Sequence, residues 1–150
     1  MIKKEGIPYS ISATYYSLNN KYWFGITMIS AAALLMPAIL EKTPEHHQWV
    51  AFLALVGMIM VGVSPNFKDG FENKIHMTGA IMCVGFSQLW VLCMSPAYLL
   101  LWGAWIGYTI YMLKKNWTGN FSRDFVRTKP MFWVEIVAEA AIFAVLIVGR

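Results

Sequence analysis

Five apolar stretches, each close to the length that crosses a bilayer, fill most of this 150-residue sequence: Tyr22 to Leu40, Gln48 to Val63, Ile75 to Ser95, Pro96 to Leu113 and Met131 to Gly149. A hydrocarbon core about 30 Å thick takes roughly 20 helical residues to span. The pattern therefore predicts one all-α domain, a polytopic membrane bundle of five transmembrane helices. The second stretch is short and needs flanking residues to complete its span. Only Ser95-Pro96 separates the third from the fourth. Proline disfavours helix in the residue before it and suits the first turn after it, so a tight helical hairpin is expected there. Composition agrees, with 58% hydrophobic and 13% charged residues. That is too little charge for a small soluble globule, which buries only about 65–70% of its unfolded surface. Disorder, coiled coil, collagen and disulfide scaffold are excluded by the same numbers.

Orientation follows from the basic residues, which gather on the cytoplasmic side of membrane proteins. Lys3, Lys4, Lys21, Lys68, Lys74, Lys114, Lys115, Arg123, Arg127 and Lys129 fall on the amino-terminal side of a five-span chain, ten in all, against Lys42 and Arg150 on the other. The expected topology has the amino terminus in the cytoplasm and the carboxyl terminus outside, in a plasma membrane or bacterial inner membrane. The net charge of +4 is scattered through short polar segments and forms no basic face, so the expected partners are membrane lipids and not nucleic acid. The first 21 residues lack the apolar core of a cleavable signal. Cys83 and Cys93 are ten positions apart in one helix, about 15 Å, too far for a disulfide.

Two polar stretches are expected to lie along the membrane surface. One is Tyr9 to Tyr22, rich in tyrosine and serine; the other is Lys114 to Pro130, with Trp117, Phe121 and Phe125 dipping inward. Trp23, Trp49 and Trp133 fall near span ends, where tryptophan is common. Pro37 is expected to kink the first helix and free a carbonyl.

The candidate chemistry begins with Glu135 and Glu139, four and eight residues into an otherwise apolar helix. A carboxyl group there is costly and is expected to face protein or water. The spacing of four puts both on one helix face, and Ala138, Ala140, Ala141 and Ala144 would let a neighbour approach closely. Two readings stay open: packing glue bonded to adjacent helices, or a ligand or proton pocket. In the third span His76, Ala80, Cys83 and Ser87 recur at helical spacing, flanked by Gly79, while Gln88 lies about 120° away and contacts a different neighbour. The third and fifth spans run in the same direction, so His76 and Glu135 are expected at similar depth, sharing a pocket with Glu139 and Ser87.

Adding Glu72 and Asp69 gives a permissive oxygen and nitrogen set, of which Glu72, His76 and Glu139 are the candidate metal ligands. No HExxH, GxSxG or glycine-rich phosphate loop occurs, so no catalytic residue and no cofactor is assigned. The adjacent His46-His47 pair is most simply a solvated loop. In the fourth span Gly103 and Gly107 form a GxxxG face suited to close helix contact, within the fold, between copies or in a larger complex. Trp102 and Trp105, deeper than the interfacial belt, either line a cavity for a hydrophobic ligand or pack in the core.

The segment Ile7-Pro8-Tyr9-Ser10-Ile11-Ser12, followed by an aromatic-flanked helix, resembles a segment of the Frag1/DRAM/Sfk1 and DUF998-like multispan membrane proteins. So do Val61-Gly62-Val63-Ser64-Pro65 and Lys74-Ile75-His76-Met77-Thr78-Gly79-Ala80. The resemblance covers roughly residues 7 to 95. It departs in that those proteins usually carry a further helix before the Pro-Ile-Ser segment and place that segment outside. It implies a multispan protein linked to lipids, with no catalytic set to carry over. The expected function is a small integral membrane protein that binds a lipid or hydrophobic ligand or serves as an accessory subunit. The alternatives are a proton-coupled transporter using the Glu/His pocket and a membrane-embedded metal-dependent hydrolase.

Overall fold

The computed structural model describes residues 6–149, so Lys3, Lys4 and Arg150 of the charge count lie outside the described residues. It is helical throughout, with no strand among those residues. Six α-helices form: α1 (Tyr22–Lys42), α2 (Gln48–Val63), α3 (Gly70–Met94), α4 (Leu101–Lys115), α5 (Phe121–Arg127) and α6 (Pro130–Ile147). Short 3-10 turns cover Ser12–Ser17, Glu45–His47 and Pro96–Leu100. Four of the helical segments are long and apolar enough to cross a membrane: Tyr22–Lys42, Glu45–Val63, Gly70–Met94 and Pro130–Ile147.

The expected fourth span, Pro96 to Leu113, is not one of these. Its first five residues are 3-10 and the α-helical part, Leu101–Lys115, is 15 residues long. Proline at Pro96 opens the turn, and two tryptophans, two tyrosines and two glycines within α4 lower its hydropathy. The other bounds also shift. α3 starts five residues earlier than the apolar run because Asp69 caps it, its side chain accepting from the amides of Phe71 and Glu72, a strong N-terminal signal. α1 runs through Pro37 to Lys42 without ending.

The bundle is apolar inside and out. Between 17% and 33% of each spanning stretch is buried, while Ile26, Ile29, Leu34, Phe52, Ile81, Ile106 and Phe143 point outward. So much exposed apolar surface is not tolerated in water and matches hydrocarbon. The buried centre comprises Ala32, Ile39, Val50, Ala51, Leu55, Trp90, Val91, Ala141 and Val145.

α1, α2 and α3 pack where glycines remove side chains. A Cβ on Gly79 would come 2.7 Å from the Met60 Cβ and 2.8 Å from the Gly57 carbonyl oxygen, and one on Gly25 would come 2.8 Å from the Gly62 carbonyl oxygen. These are the close helix contacts that small residues provide in membranes. Within the fold no helix packs on Gly103 or Gly107: both are exposed, with nothing within 4 Å of an added Cβ among the described residues.

Hydrogen bonds fix the directions. At one end the segment Gly6 to Leu18, here called the strap, meets both the start of α6 and the loop before α3: Tyr9 O accepts from the Phe132 amide at 3.0 Å, and the Tyr16 hydroxyl meets Asn66 Oδ1 at 3.2 Å. At the other end Trp90 Nε1 donates to Thr43 Oγ1 at 2.7 Å, and Lys42 Nζ donates to the Val145 and Gly149 carbonyls at 3.2 and 2.7 Å. α3 and α6 therefore run in the same direction. Lys42 also satisfies carbonyls left over at the end of α6.

Candidate functional site

Beneath the strap, α2, α3 and α6 enclose a small cleft of about 70 Å³. Its walls are Met58 and Val61 from α2, Ala80, Cys83, Val84 and Ser87 from α3, and Glu135, Ala138, Glu139 and Ile142 from α6; Ile11 and Ser12 of the strap close one side. Helical spacing explains the convergence, since 80, 83, 84 and 87 share one face of α3, and 135, 138, 139 and 142 share one face of α6. Both carboxylates consequently open into the same space.

A second, smaller cavity of about 30 Å³ continues from it toward the Thr43 end, sharing Met58, Cys83, Ser87 and Ile142, and ends among Leu35, Ile39, Ala54, Leu55 and Trp90. Apart from the Ser87 hydroxyl, which donates to the Val84 carbonyl at 3.0 Å, and the Cys83 thiol, its lining is hydrocarbon. The Trp90 N–H is already used by Thr43. The path is thus carboxylate-lined at the strap end and apolar at depth. Among the described residues, no Lys, Arg or His lines either part.

The strap is held along α6 at alternate residues. Lys129 Nζ donates to the Ile7 carbonyl, the Phe132 amide donates to Tyr9 O, and the Ile11 amide donates to Glu135 Oε2. Phe132 is the third residue of α6, so Tyr9 satisfies one of the amides that every helix leaves unpaired at its start. Lys129 takes the left-handed conformation, φ 51°, which costs a non-glycine residue about 1–2 kcal/mol. Aromatic packing secures the other flank: Tyr16 lies edge-on to Tyr15 and Phe67, and Lys68 Nζ sits 4.3 Å over the Tyr16 ring.

His76 is separate from this cleft. It is buried, its Nδ1 is 2.9 Å from the Ser64 carbonyl oxygen, and its ring lies 4.9 Å from Phe67. One turn nearer the start of α3 than Ala80, it clamps the loop that joins α2 to α3. The expected pocket shared by His76 with Glu135 and Glu139 is therefore not assembled. The metal set is not assembled either. Glu72 Oε2 accepts from the Asn66 amide at 3.0 Å, Asp69 caps α3, and no group of three candidate ligands converges among the described residues.

Trp102 and Trp105 lie on the far flank of α6, edge-to-face at 5.8 Å, outside both cavities. Trp102 Nε1 donates to Gln88 Oε1 at 2.9 Å, and Trp105 Nε1 to the Pro130 carbonyl at 3.3 Å. Gln88 Nε2 in turn donates to the Ala138 carbonyl at 3.2 Å, so this side chain bridges α3, α4 and α6. Near the polar surface, Thr118 donates twice to Asp124, from its amide and its hydroxyl, both at 2.7 Å. These bonds, with Arg123 and Arg127 nearby, hold the Asp124 carboxyl below the usual carboxylate range. His46 and His47 form a 3-10 turn with rings 4.1 Å apart.

No family model, curated protein or solved structure matches this chain.

Proposed function

We propose that this chain is a small five-crossing membrane protein, amino terminus in the cytoplasm, that holds a hydrophobic or lipid ligand in the core of its bundle. The observation that carries the reading is the continuity of the two cavities through Met58, Cys83, Ser87 and Ile142. The largely apolar inner lining suits hydrocarbon. It offers no nucleophile paired with a base and no metal cage, so binding is favoured over catalysis.

The fifth crossing is α4 with its 3-10 lead-in. α3 ends near Thr43 and α6 begins beside the strap, so the chain between them has to return across the bundle. The two segments together cover about 32 Å at 1.5 Å per α-helical and 2.0 Å per 3-10 residue. With that return, Lys21, Lys68, Lys74, Lys114, Lys115, Arg123, Arg127 and Lys129 gather at the strap end and Lys42 stands at the other, which supports a cytoplasmic strap.

The test is native mass spectrometry of the protein released from lipid nanodiscs. A one-to-one hydrophobic adduct is expected on the wild type and is expected to be lost in Ala54→Phe, which fills the inner cavity. Equal adducts on both proteins would place the bound lipid on the outer surface and reject the reading.

A further inference from the structure

The end of α4 and the start of α5 bound an open groove of about 350 Å³, far larger than either cavity beneath the strap and within the range of small-molecule sites, about 300–1,000 Å³. Ile110, Leu113, Trp117 and Phe121 give it hydrocarbon and aromatic walls, and Lys114 supplies one cation. None of the five lines the cavities beneath the strap. Trp117 is 57% and Phe121 59% exposed, so both rings are left for something outside the chain to cover. Their positions are fixed by the turn between them. Gly119 takes φ 90°, which glycine adopts without steric cost, and the Asn120 side chain accepts from the Arg123 amide at 3.1 Å. The Thr118 amide and hydroxyl each take one oxygen of Asp124, and the Phe125 ring stacks on Phe121 at 5.8 Å.

Charge narrows the occupant. From Lys114 to Pro130 the sequence has five basic residues and one acidic, Asp124. Asp124 is buried with both oxygens engaged by Thr118, and no carboxylate lines the groove among the described residues. Lys129 spends its ammonium on the Ile7 carbonyl, and Lys115 lies 5.9 Å over the Tyr111 ring. Lys114 is exposed and makes no such contact among the described residues. On α5 the Phe121 and Phe125 side chains share one face and Arg123 and Arg127 occupy roughly the opposite one, the arrangement of a helix lying in the membrane interface.

We propose that this groove holds one anionic phospholipid, its phosphate at the Lys114 ammonium and an acyl chain laid along Ile110, Leu113, Trp117 and Phe121. An ammonium offers three donors to phosphate oxygens. A soluble phosphate would use Lys114 and leave the walls bare, and a zwitterionic lipid would bring its own cation into a basic surface. Only a lipid with net negative charge matches the cation and the hydrocarbon together. The site shares no wall with the core cavities, so it stands or falls apart from the ligand held there.

The experiment releases the full chain from nanodiscs of equal phosphatidylglycerol and phosphatidylcholine with matched chains and reads the retained lipid by native mass spectrometry. Retention of one phosphatidylglycerol is expected, favoured over phosphatidylcholine about fivefold, the scale of one basic side chain at a membrane surface. Lys114→Gln is expected to abolish that preference, whereas Lys115→Gln, the same loss of charge one residue outside the groove, is expected to leave it nearly intact. Trp117→Ala keeps the charge, removes a wall and is expected to lower retention. Ala54→Phe, in the inner cavity, is expected to change nothing at this site. No preference in the wild type, or a preference that survives both Lys114→Gln and Trp117→Ala, overturns the proposal. Equal losses in Lys114→Gln and Lys115→Gln overturn it in favour of diffuse surface charge. Displacement of the lipid by excess soluble glycerol phosphate overturns the lipid assignment in favour of a phosphate site.

Discussion

The amide of Ile11 donates to the carboxylate of Glu135 across 124 residues of sequence. It joins the strap to α6, which carries two carboxyl groups into the apolar bundle. A hydrogen bond to a charged group contributes about 1.5–3 kcal/mol, so this contact adds to those at Ile7 and Tyr9 in holding the strap on the cleft. Ile11 has φ −59°, a backbone that proline adopts without strain. Ile11→Pro therefore removes the donor while preserving the local fold. Amide exchange across residues 9 to 17 is expected to rise about 10- to 100-fold relative to Ile11→Ala, read by hydrogen–deuterium mass spectrometry. Equal exchange in the two variants would mean the bond does not hold the strap.

Close helix contact is expected to depend on Gly57 and Gly79 and not on Gly103 and Gly107. Gly79→Ala forces a methyl group against the Gly57 carbonyl and Met60, an overpacking that costs about 1–3 kcal/mol. Gly103→Ala meets open space and is expected to leave the melting temperature of the purified monomer unchanged. Thermal unfolding of the two variants side by side checks this. A larger loss for Gly103→Ala would contradict the packing described.

Much of this was legible in the sequence, and the gaps have physical causes. Apolar runs located α1, α2, α3 and α6, and the spacing of Glu135 and Glu139 put both on one face. The Gly103–Gly107 spacing meets no helix within the fold, because a motif says that backbones can approach, not that a neighbour is there in the same chain. The effective glycines, Gly57 and Gly79, sit on different helices, so no spacing within one run reveals them. His76 was paired with the glutamates by depth alone, whereas its ring turns to the Ser64 carbonyl. The strap over the cleft was read as an interfacial segment. Its link to α6 is made by backbone groups of Tyr9 and Ile11, which no side-chain pattern encodes.

Gln88 ties three helices together through Trp102 and the Ala138 carbonyl. Gln88→Met keeps the length and removes both bonds, leaving an indole N–H without its acceptor. Measured side-chain bonds between membrane helices average about 0.6 kcal/mol, with a maximum near 1.7. The variant is expected to lose about 1–2 kcal/mol because two bonds go together, read by unfolding in mixed micelles. A loss no greater than that of Trp105→Phe, which removes one bond, would contradict the bridging role.

Asp124 makes the surface segment acid-sensitive. Its carboxyl is held down by the Thr118 amide and hydroxyl, so the folded segment binds fewer protons than the unfolded one near the ordinary carboxylate value. The resulting stabilisation is present above that ordinary value and is lost as pH falls through the lower, folded value. Amide protection at Thr118 and through α5 is expected to persist at pH 5 and to collapse below about pH 3.9, the ordinary aspartate value. Asp124→Asn is expected to remove the pH dependence. Protection that falls already at pH 5 would contradict the sign.

Cys83 lines both cavities, whereas Cys93, ten residues on in the same helix, is exposed on the outer surface. The two thiols therefore report on the inside and outside of one helix in a single sample. The decisive measurement is the rate of N-ethylmaleimide labelling at each cysteine, resolved by peptide mass, as dodecanol is titrated into nanodiscs containing the full chain. Saturable protection of Cys83 with an unchanged rate at Cys93 is the expected result. Equal slowing at both positions, or no protection of Cys83 at any concentration, would contradict a ligand held inside the bundle.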